Sequence, residues 1–572
     1  MPGRYRWALP FALVTSDVAA PAADAPGDYP LRKTYVVGFD GATWRFLRPL
    51  IDRGEAPNFA RLMAEGAHGE LRSTIPFQSA AAWVTFMTGK NSGRHGVYMF
   101  QDYDALSYSY VGRTANSRYF SGQTIFDIVS QMGGRVGALR VPMTYPAWPV
   151  NGFLVSGFPT PGDTPESFYP ADLRSELGSS GIYDESDFRT LSTEQQVASL
   201  DAQMDRMSDL VGALIGRECD LFTVVHRVPD PVHHFFIKFV DQRTPAYDAE
   251  EAQRWGDVVD RFYRKMDEAL GDVLDRLGDD ETLFVISDHG GAITPPRQLN
   301  LNVWLAKQGL LTVKPRAKSA RERLYALNQR LMPARVRALL RRRAPRAVQG
   351  ELRGMWKGLQ EIDFGRTQAY HFPMKCPPLA GIVINLRGRQ PEGLVSPENY
   401  ETLRSEIMRD LQHLRDPRTG DMIVDAVFRR EDLYHGEFME RAPDIVVWCH
   451  GMYKEGPLAQ GPLVGEVPFD EILQVPGSHD EKGILLAKGP AIAANRTVEG
   501  ASLIDMPPTI LHAMGLPVPR DMDGRVLTEL FTEGTPAVET ADVTLERRSA
   551  DNFLSEDEEQ QIKEKLKGWG YL

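Results

Sequence analysis

Three short apolar runs end in acidic or imidazole side chains, and that pattern constrains the fold of this chain more than any other feature. "TYVVGFD" closes on Asp40, "LFTVVHRVPD" closes on Asp230 with His233 and His234 just beyond, and "TLFVISDHGG" delivers Asp288 and His289. Nearly continuous apolar runs of this length read as strands buried on both faces, the condition of a parallel sheet covered by helices. Helical spacing fills the intervals. "PNFARLMAEG" stops at Gly66, "TIFDIVSQMG" precedes the run "RVGALRV", and "VVDRFYRKMDEALGDVLDRLG" precedes "TLFVISD". Strands alternating with helices predict an α/β fold on a mostly parallel, doubly wound sheet, with ligands beyond the carboxyl ends of its strands.

A fourth group belongs at that edge. His479, in "VPGSHDEKGILLAKGP", is expected in a Gly-containing loop just before another apolar run. Gathered there, these Asp and His side chains would be a costly crowd without a cation. With divalent metal the cost inverts, because carboxylate oxygen and imidazole nitrogen are good ligands for zinc and similar ions. Each piece also has a plainer reading. An Asp-His pair after a strand commonly caps or hydrogen-bonds, and Asp230 can simply start a turn at Pro231. The stretch "VVHRVPDPVHHFF" itself reads as a strand running into a loop.

A nucleophile candidate lies between the first two pieces. "TIPFQSAAAWVTFMTGKNSGRHG" places Ser79 just before a helical run, where unpaired N–H groups and the helix dipole favour negative charge. A serine there commonly serves as an N-cap and nothing more. Beside a metal, the same hydroxyl can ionise and attack phosphorus.

Composition narrows the class. The 572 residues suit one large α/β core carrying insertions, and 42% hydrophobic with 25% charged residues is a soluble globular balance. A formal charge of −12 argues against binding a nucleic acid duplex, which needs a basic surface. Cys219, Cys376 and Cys449 are too few and too scattered for a disulfide framework or a cysteine zinc site. No window reaches the roughly 20 apolar residues of a membrane-spanning helix. The leader, residues 1–32, carries Arg4 and Arg6, a short apolar run from Trp7 to Val14 broken by Pro10, and small residues such as Ala20 and Ala22. It reads as a flexible Ala/Pro-rich segment of a cytoplasmic protein; the alternative is a weak signal peptide leading to the periplasm or outside.

The order of "GFDGATW", "PFQSAAAWVTFMTG…HG", "PDPVHH", "ISDHGG" and "GSHDEKGILLAKGP" resembles the type I phosphodiesterase/nucleotide pyrophosphatase family of the alkaline phosphatase superfamily, in particular a mainly prokaryotic branch of phosphohydrolases and phosphomutases. The resemblance runs from about Thr34 to Leu530. It implies an alkaline-phosphatase-like α/β fold: a central, mostly parallel sheet between helices, with cap insertions and two divalent metals at its C-terminal edge. Asp40, Ser79, Asp288 and His289 match the residues around one metal, with Ser79 in the nucleophile position. Asp230, His234 and His479 match the ligands of the other. The family spacing of an aspartate and a histidine four residues on selects His234 over His233, and His226 falls outside it. Zinc suits such mixed Asp and His ligands, with manganese as the alternative. The implied reaction is hydrolysis of a phosphodiester or pyrophosphate through a phosphoserine at Ser79. A phosphomutase or monoesterase using the same site is one alternative, and a catalytically silent metal-binding protein of the same fold is another. The complete ligand set speaks against the silent protein.

Two departures bear on substrate. Nucleotide-hydrolysing members usually carry threonine as nucleophile with asparagine three residues on, where this chain has Ser79 and Ala82. The arylsulfatase pattern requires Pro and Arg where Ala81 and Trp83 stand, which disfavours sulfate esters. The substrate expected is a phosphate-ester small molecule or a lipid-linked one, selected by insertions at about 160–199 and 312–360. The segment 314–346 holds twelve Lys/Arg against one acid with helical apolar spacing. It reads as a solvated pair of cap helices, or alternatively as a peripheral contact with an anionic membrane. None of these motifs bears on oligomeric state.

The organisation expected is therefore a leader at 1–32, a catalytic domain at 33–535 and a C-terminal helical tail at 536–572. The tail "SEDEEQQIKEKLKGWGYL" has a capping-box pattern from Ser555 to Glu558 and reads as solvated scaffold. His95 is expected to hydrogen-bond beneath the site, Trp44 and Trp83 to stack on a substrate ring or lie in the core, and His371 and Cys376 to do no chemistry.

Overall fold

The computed structural model describes residues 31–104, 108–178, 181, 183, 188–314, 361–543, 545 and 554–571. The leader up to residue 30, and the basic segment beyond Lys314, lie outside the described residues.

The apolar runs pair as their burial requires. Strands β1 (Thr34–Phe39), β2 (Ala67–Arg72), β3 (Val136–Leu139), β4 (Gly152–Val155), β5 (Phe168–Tyr169), β6 (Leu221–His226), β7 (Thr282–Ile286), β8 (Lys482–Lys488) and β9 (Arg496–Val498) form one sheet in the order β9-β2-β8-β7-β1-β6-β3-β4-β5. The neighbours from β7 to β4 run parallel, while β8 runs antiparallel to both β7 and β2. Every residue of β1, β6 and β7 is buried, because helices cover both faces. The expected mixed α/β architecture with a mostly parallel sheet is what the chain adopts. Register then does the functional work: Phe39 lies beside His226 and Gly38 beside Ile286, so the residues after all three strands leave from one edge.

A second sheet, Ala369–Phe372, Leu379–Ile384, Ile445–Cys449 and Val424–Arg429 in spatial order, is antiparallel and has its own apolar cluster. Part of the polar stretch at 160–199 supplies β5 at the edge of the central sheet. Among the described residues no helix is long and apolar enough to cross a membrane.

Three local expectations change. "PDPVHHFF" is a helix, Pro229–Phe236, where a loop was expected. Pro229 opens it and Pro231 lies in its first turn, where a missing N–H breaks no intrahelical bond. His479 lies on a strand, Gly477–Asp480, paired antiparallel with Gly290–Ile293. The tail forms the capped helix Glu556–Trp569 as expected, but it docks: Ile562, Leu566 and Trp569 are buried. Burying Ile562 and Leu566 contributes about 1.5–3 kcal/mol each, so the tail is part of the core.

Candidate active site

At the carboxyl edge the chain turns tightly. Gly41 follows Asp40 with φ +75, and a Cβ there would stand 3.1 Å from the Cα of Asp230. Glycine thus lets the turn after β1 approach the helix Pro229–Phe236. The Gly41 amide donates to Asp288 Oδ1 at 3.1 Å, tying the ends of β1 and β7 together.

Ser79 is the first residue of the buried helix Ser79–Thr88, and Gln78, not Ser79, takes the N-cap position without making a side-chain cap bond. The serine hydroxyl is consequently not spent on capping. Its Oγ lies 3.3 Å from Asp40 Oδ1 and 3.1 Å from His289 Nε2. The Trp83 indole, one turn on, donates to Asp40 Oδ2 at 3.0 Å. Trp83 is fully buried, so of its two readings the core one holds, with the added task of orienting Asp40.

Asp230 and His234 lie one helical turn apart on one face of their helix, which is what a spacing of four residues gives. Asp230 Oδ1 stands 3.2 Å from His234 Nε2 and 3.5 Å from His479 Nε2, and the two imidazole Nε2 atoms approach to 3.0 Å. On the other side, His289 Nε2 lies 3.2 Å from Asp288 Oδ2 and 3.6 Å from Asp40 Oδ1. The six Asp and His residues and Ser79 therefore converge, as two groups. His289 joins them: its ligand atom lies within 4.8 Å of those of Asp40 and Asp288, and also of those of Asp230 and His479.

Backbone carbonyls fix the tautomers. Nδ1 of His234 bonds to the Gly477 carbonyl at 3.1 Å, that of His479 to Phe77 at 3.0 Å, and that of His289 to Gly290 at 3.0 Å. Each ring turns its Nε2 inward, the arrangement by which carbonyl partners prepare histidines for metal. Two inward Nε2 lone pairs at 3.0 Å repel unless a cation or proton lies between them.

The carboxylates give the same indication. Burial, then the charge of Asp230, pushes Asp40 up to about 7. Burial, then Asp40, holds Asp288 well above the usual range. For Asp230 burial acts upward, yet His234 and then His479 outweigh it and hold this carboxyl well below its ordinary value. Asp288 Oδ2 is buried with no hydrogen-bond donor among the described residues. Three packed carboxylates, an orphaned oxygen and three inward Nε2 atoms fit divalent cations, whose charge would relieve both repulsions.

The remaining histidines sort by contact. His233 points away from the cluster, stacked on Phe46 at 5.3 Å, with Nε2 3.0 Å from the Tyr263 hydroxyl. Burial pushes it down to about 3 and keeps it neutral. His226 is buried against Phe39 at 5.2 Å, and burial pushes it down to about 4. His95 Nδ1 accepts from the Val97 amide at 3.1 Å, leaving Nε2–H to donate to Thr85 Oγ1 at 3.1 Å, a brace beneath the Ser79 helix. Trp44 donates to the Gly69 carbonyl at 2.7 Å. His371 pairs with Glu455 at 3.1 Å and Cys376 is buried.

One residue at the site escaped the sequence reading. The Tyr571 hydroxyl, from the C-terminal tail, donates to Asp230 Oδ2. The signal available was the spacing of Ile562, Leu566 and Trp569, which marks a docking face, followed by Gly570 and a last aromatic residue.

Human ectonucleotide pyrophosphatase/phosphodiesterase 5 is 15% identical over 87% of this chain and 100% of its own, with a TM-score of 0.44. The murine protein of the same name is 15% identical over 88% and 100%, with a TM-score of 0.45. No curated protein matches the sequence significantly. The profile described as type I phosphodiesterase / nucleotide pyrophosphatase matches residues 34–454, most of the chain and all of the motifs up to His289. The chain belongs to the type I phosphodiesterase/nucleotide pyrophosphatase family and is a phosphoric ester hydrolase.

Proposed function

We propose that the protein hydrolyses a phosphodiester or pyrophosphate bond in two steps, with Ser79 as the nucleophile. The observation that carries this reading is the position of Ser79 Oγ, on a helix N-terminus and between Asp40 and His289. Asp40, Asp288 and His289 would hold one divalent cation beside Ser79, and Asp230, His234 and His479 the other. Zinc is the first choice and manganese the second, given mixed carboxylate and imidazole donors. When bound, such a pair supplies positive charge to the phosphoryl oxygens and lowers the pKa of a neighbouring hydroxyl.

In the first step Ser79 Oγ loses its proton and forms a bond to phosphorus, while the bond to the ester oxygen breaks and the leaving group departs with that electron pair. The backbone N–H groups at the start of the Ser79 helix face the developing negative charge. In the second step water attacks the phosphoserine, the phosphorus–Oγ bond breaks, and Ser79 regains a proton. Trp83 holds Asp40 in place through both steps. The substrate class proposed is a phosphate-ester small molecule or lipid-linked phosphate ester, with Ala82 in place of the amide that nucleotide-hydrolysing members carry.

Metal analysis of wild type and Ser79→Ala, with a nitrophenyl phosphodiester and the matching monoester as substrates, tests this. Two ions in both proteins, with diesterase activity in wild type alone, is the expected result. Equal activity in both overturns the nucleophile, and preference for the monoester moves the assignment to a monoesterase or mutase.

A further inference from the structure

The last residues of the chain reach the metal-ligand cluster. The helix Glu556–Trp569 is capped by Ser555 and ends at Gly570, whose φ of 90 turns the backbone left-handed. Beyond that turn the Tyr571 ring packs between Phe100 and Phe158, at 5.1 and 5.5 Å, and stands edge-on to His234 at 5.8 Å. Trp569 stacks on Phe188 at 4.5 Å and carries the Arg227 guanidinium 4.0 Å above its face. The tail thus touches His234 directly and holds a cation three residues before Asp230.

Asp230 divides its oxygens. Oδ1 faces His234 and His479, at 3.2 and 3.5 Å, and Oδ2 accepts from Tyr571. A phenol bonded to one oxygen restrains the carboxylate against rotation and keeps the other oxygen turned toward the two imidazoles. We infer that Tyr571 is a positioning residue for the metal centre: its hydroxyl fixes Asp230 so that Oδ1 alone serves as ligand, which makes the C-terminal segment part of the active site. The inference rests on the reading that Asp230, His234 and His479 hold a cation.

Tyr571→Phe removes the hydroxyl and keeps the ring. Zinc is titrated into the metal-free protein with a competing chromophoric chelator, and kcat and KM are measured on a nitrophenyl diester. Affinity for one of the two ions should fall about tenfold or more, as for other partners that orient a ligand from behind. The value of kcat should fall with KM little changed, and the melting temperature of the metal-free protein should stay near wild type. A chain ending at Gly570 should lose at least as much affinity. Wild-type affinity and kcat in Tyr571→Phe would overturn the inference, as would a lowered melting temperature with zinc affinity unchanged. Asp230→Ala, run alongside, separates the two claims. If it loses an ion while Tyr571→Phe loses nothing, the tail inference alone fails; if it too binds both ions normally, the metal reading fails and the inference falls with it.

Discussion

Gly291→Ala should disable the site without touching a ligand. The antiparallel ribbon of Gly290–Ile293 and Gly477–Asp480 packs against the helix Pro229–Phe236 so closely that a Cβ on Gly291 would stand 2.2 Å from His233 Nδ1 and 2.4 Å from its Cγ. Ordinary contact begins at 3.4 Å, so ring and ribbon must separate by about 1.2 Å. The ring cannot swing aside, because Phe46 covers its face and Tyr263 engages its Nε2. The helix and ribbon must therefore part. Overpacking of this kind costs roughly 1–3 kcal/mol of folding free energy. A functional loss comes on top of this, since His234 follows His233 on the helix and His479 pairs with Gly291 across the ribbon. A misplacement of about 1 Å can cost on the order of 100-fold in rate. Denaturant unfolding of the metal-free protein reads the first quantity, and zinc titration with diester turnover reads the second. Adding His233→Ala should restore room and recover metal affinity, a coupling that a double-mutant cycle measures. Wild-type stability and metal affinity in Gly291→Ala alone would refute the packing argument.

Two further outcomes follow from the contacts. His234→Ala should lose one ion and diester turnover, whereas His226→Ala should keep both ions and most activity while losing roughly 3 kcal/mol of stability for the space left beside Phe39; metal analysis with unfolding curves separates them, and metal loss in His226→Ala would defeat the assignment. Asp241 is buried between Arg45 and Arg243, 2.5 and 2.7 Å away, and although burial acts upward, its bonds to Arg243 and then Arg45 hold its carboxyl far below the ordinary value. Its folded pKa is depressed, so its contribution to stability is present above the unfolded value of about 4 and is lost as pH falls through the lower, folded one. Stability measured from pH 7 downward should therefore fall more steeply below about pH 4 in wild type than in Asp241→Asn. Parallel curves would show that the two ion pairs contribute nothing.

Legibility in the sequence followed the range of the contacts. Asp40, Asp230, Asp288 and His289 could be read off because a strand buried on both faces advertises itself as an apolar run, and the sheet delivers whatever follows such runs to one edge. The helical spacing that binds Asp230 to His234 was legible only through the family pattern, because two prolines in "PDPVHHFF" resemble a loop until one of them proves to open a helix. His479 was misplaced in a loop for a different reason. Its strand exists because Gly291 and Gly477 allow a two-stranded ribbon to press against the His233 helix, and a Cβ on Gly477 would meet the His233 carbonyl at 2.1 Å. Glycine looks like punctuation locally; here it records contact with a helix about 245 residues away in sequence. Tyr571 is the extreme case, a hydroxyl 341 positions from the carboxylate it holds. Nothing in its own neighbourhood asks for a phenol, since its ring packs on Phe100, Phe158 and His234, all distant in sequence, while only its backbone amide bonds back to the Leu566 carbonyl. The ligands that a fold supplies from strand ends are thus written locally, and the groups that orient them are written only in the folded chain.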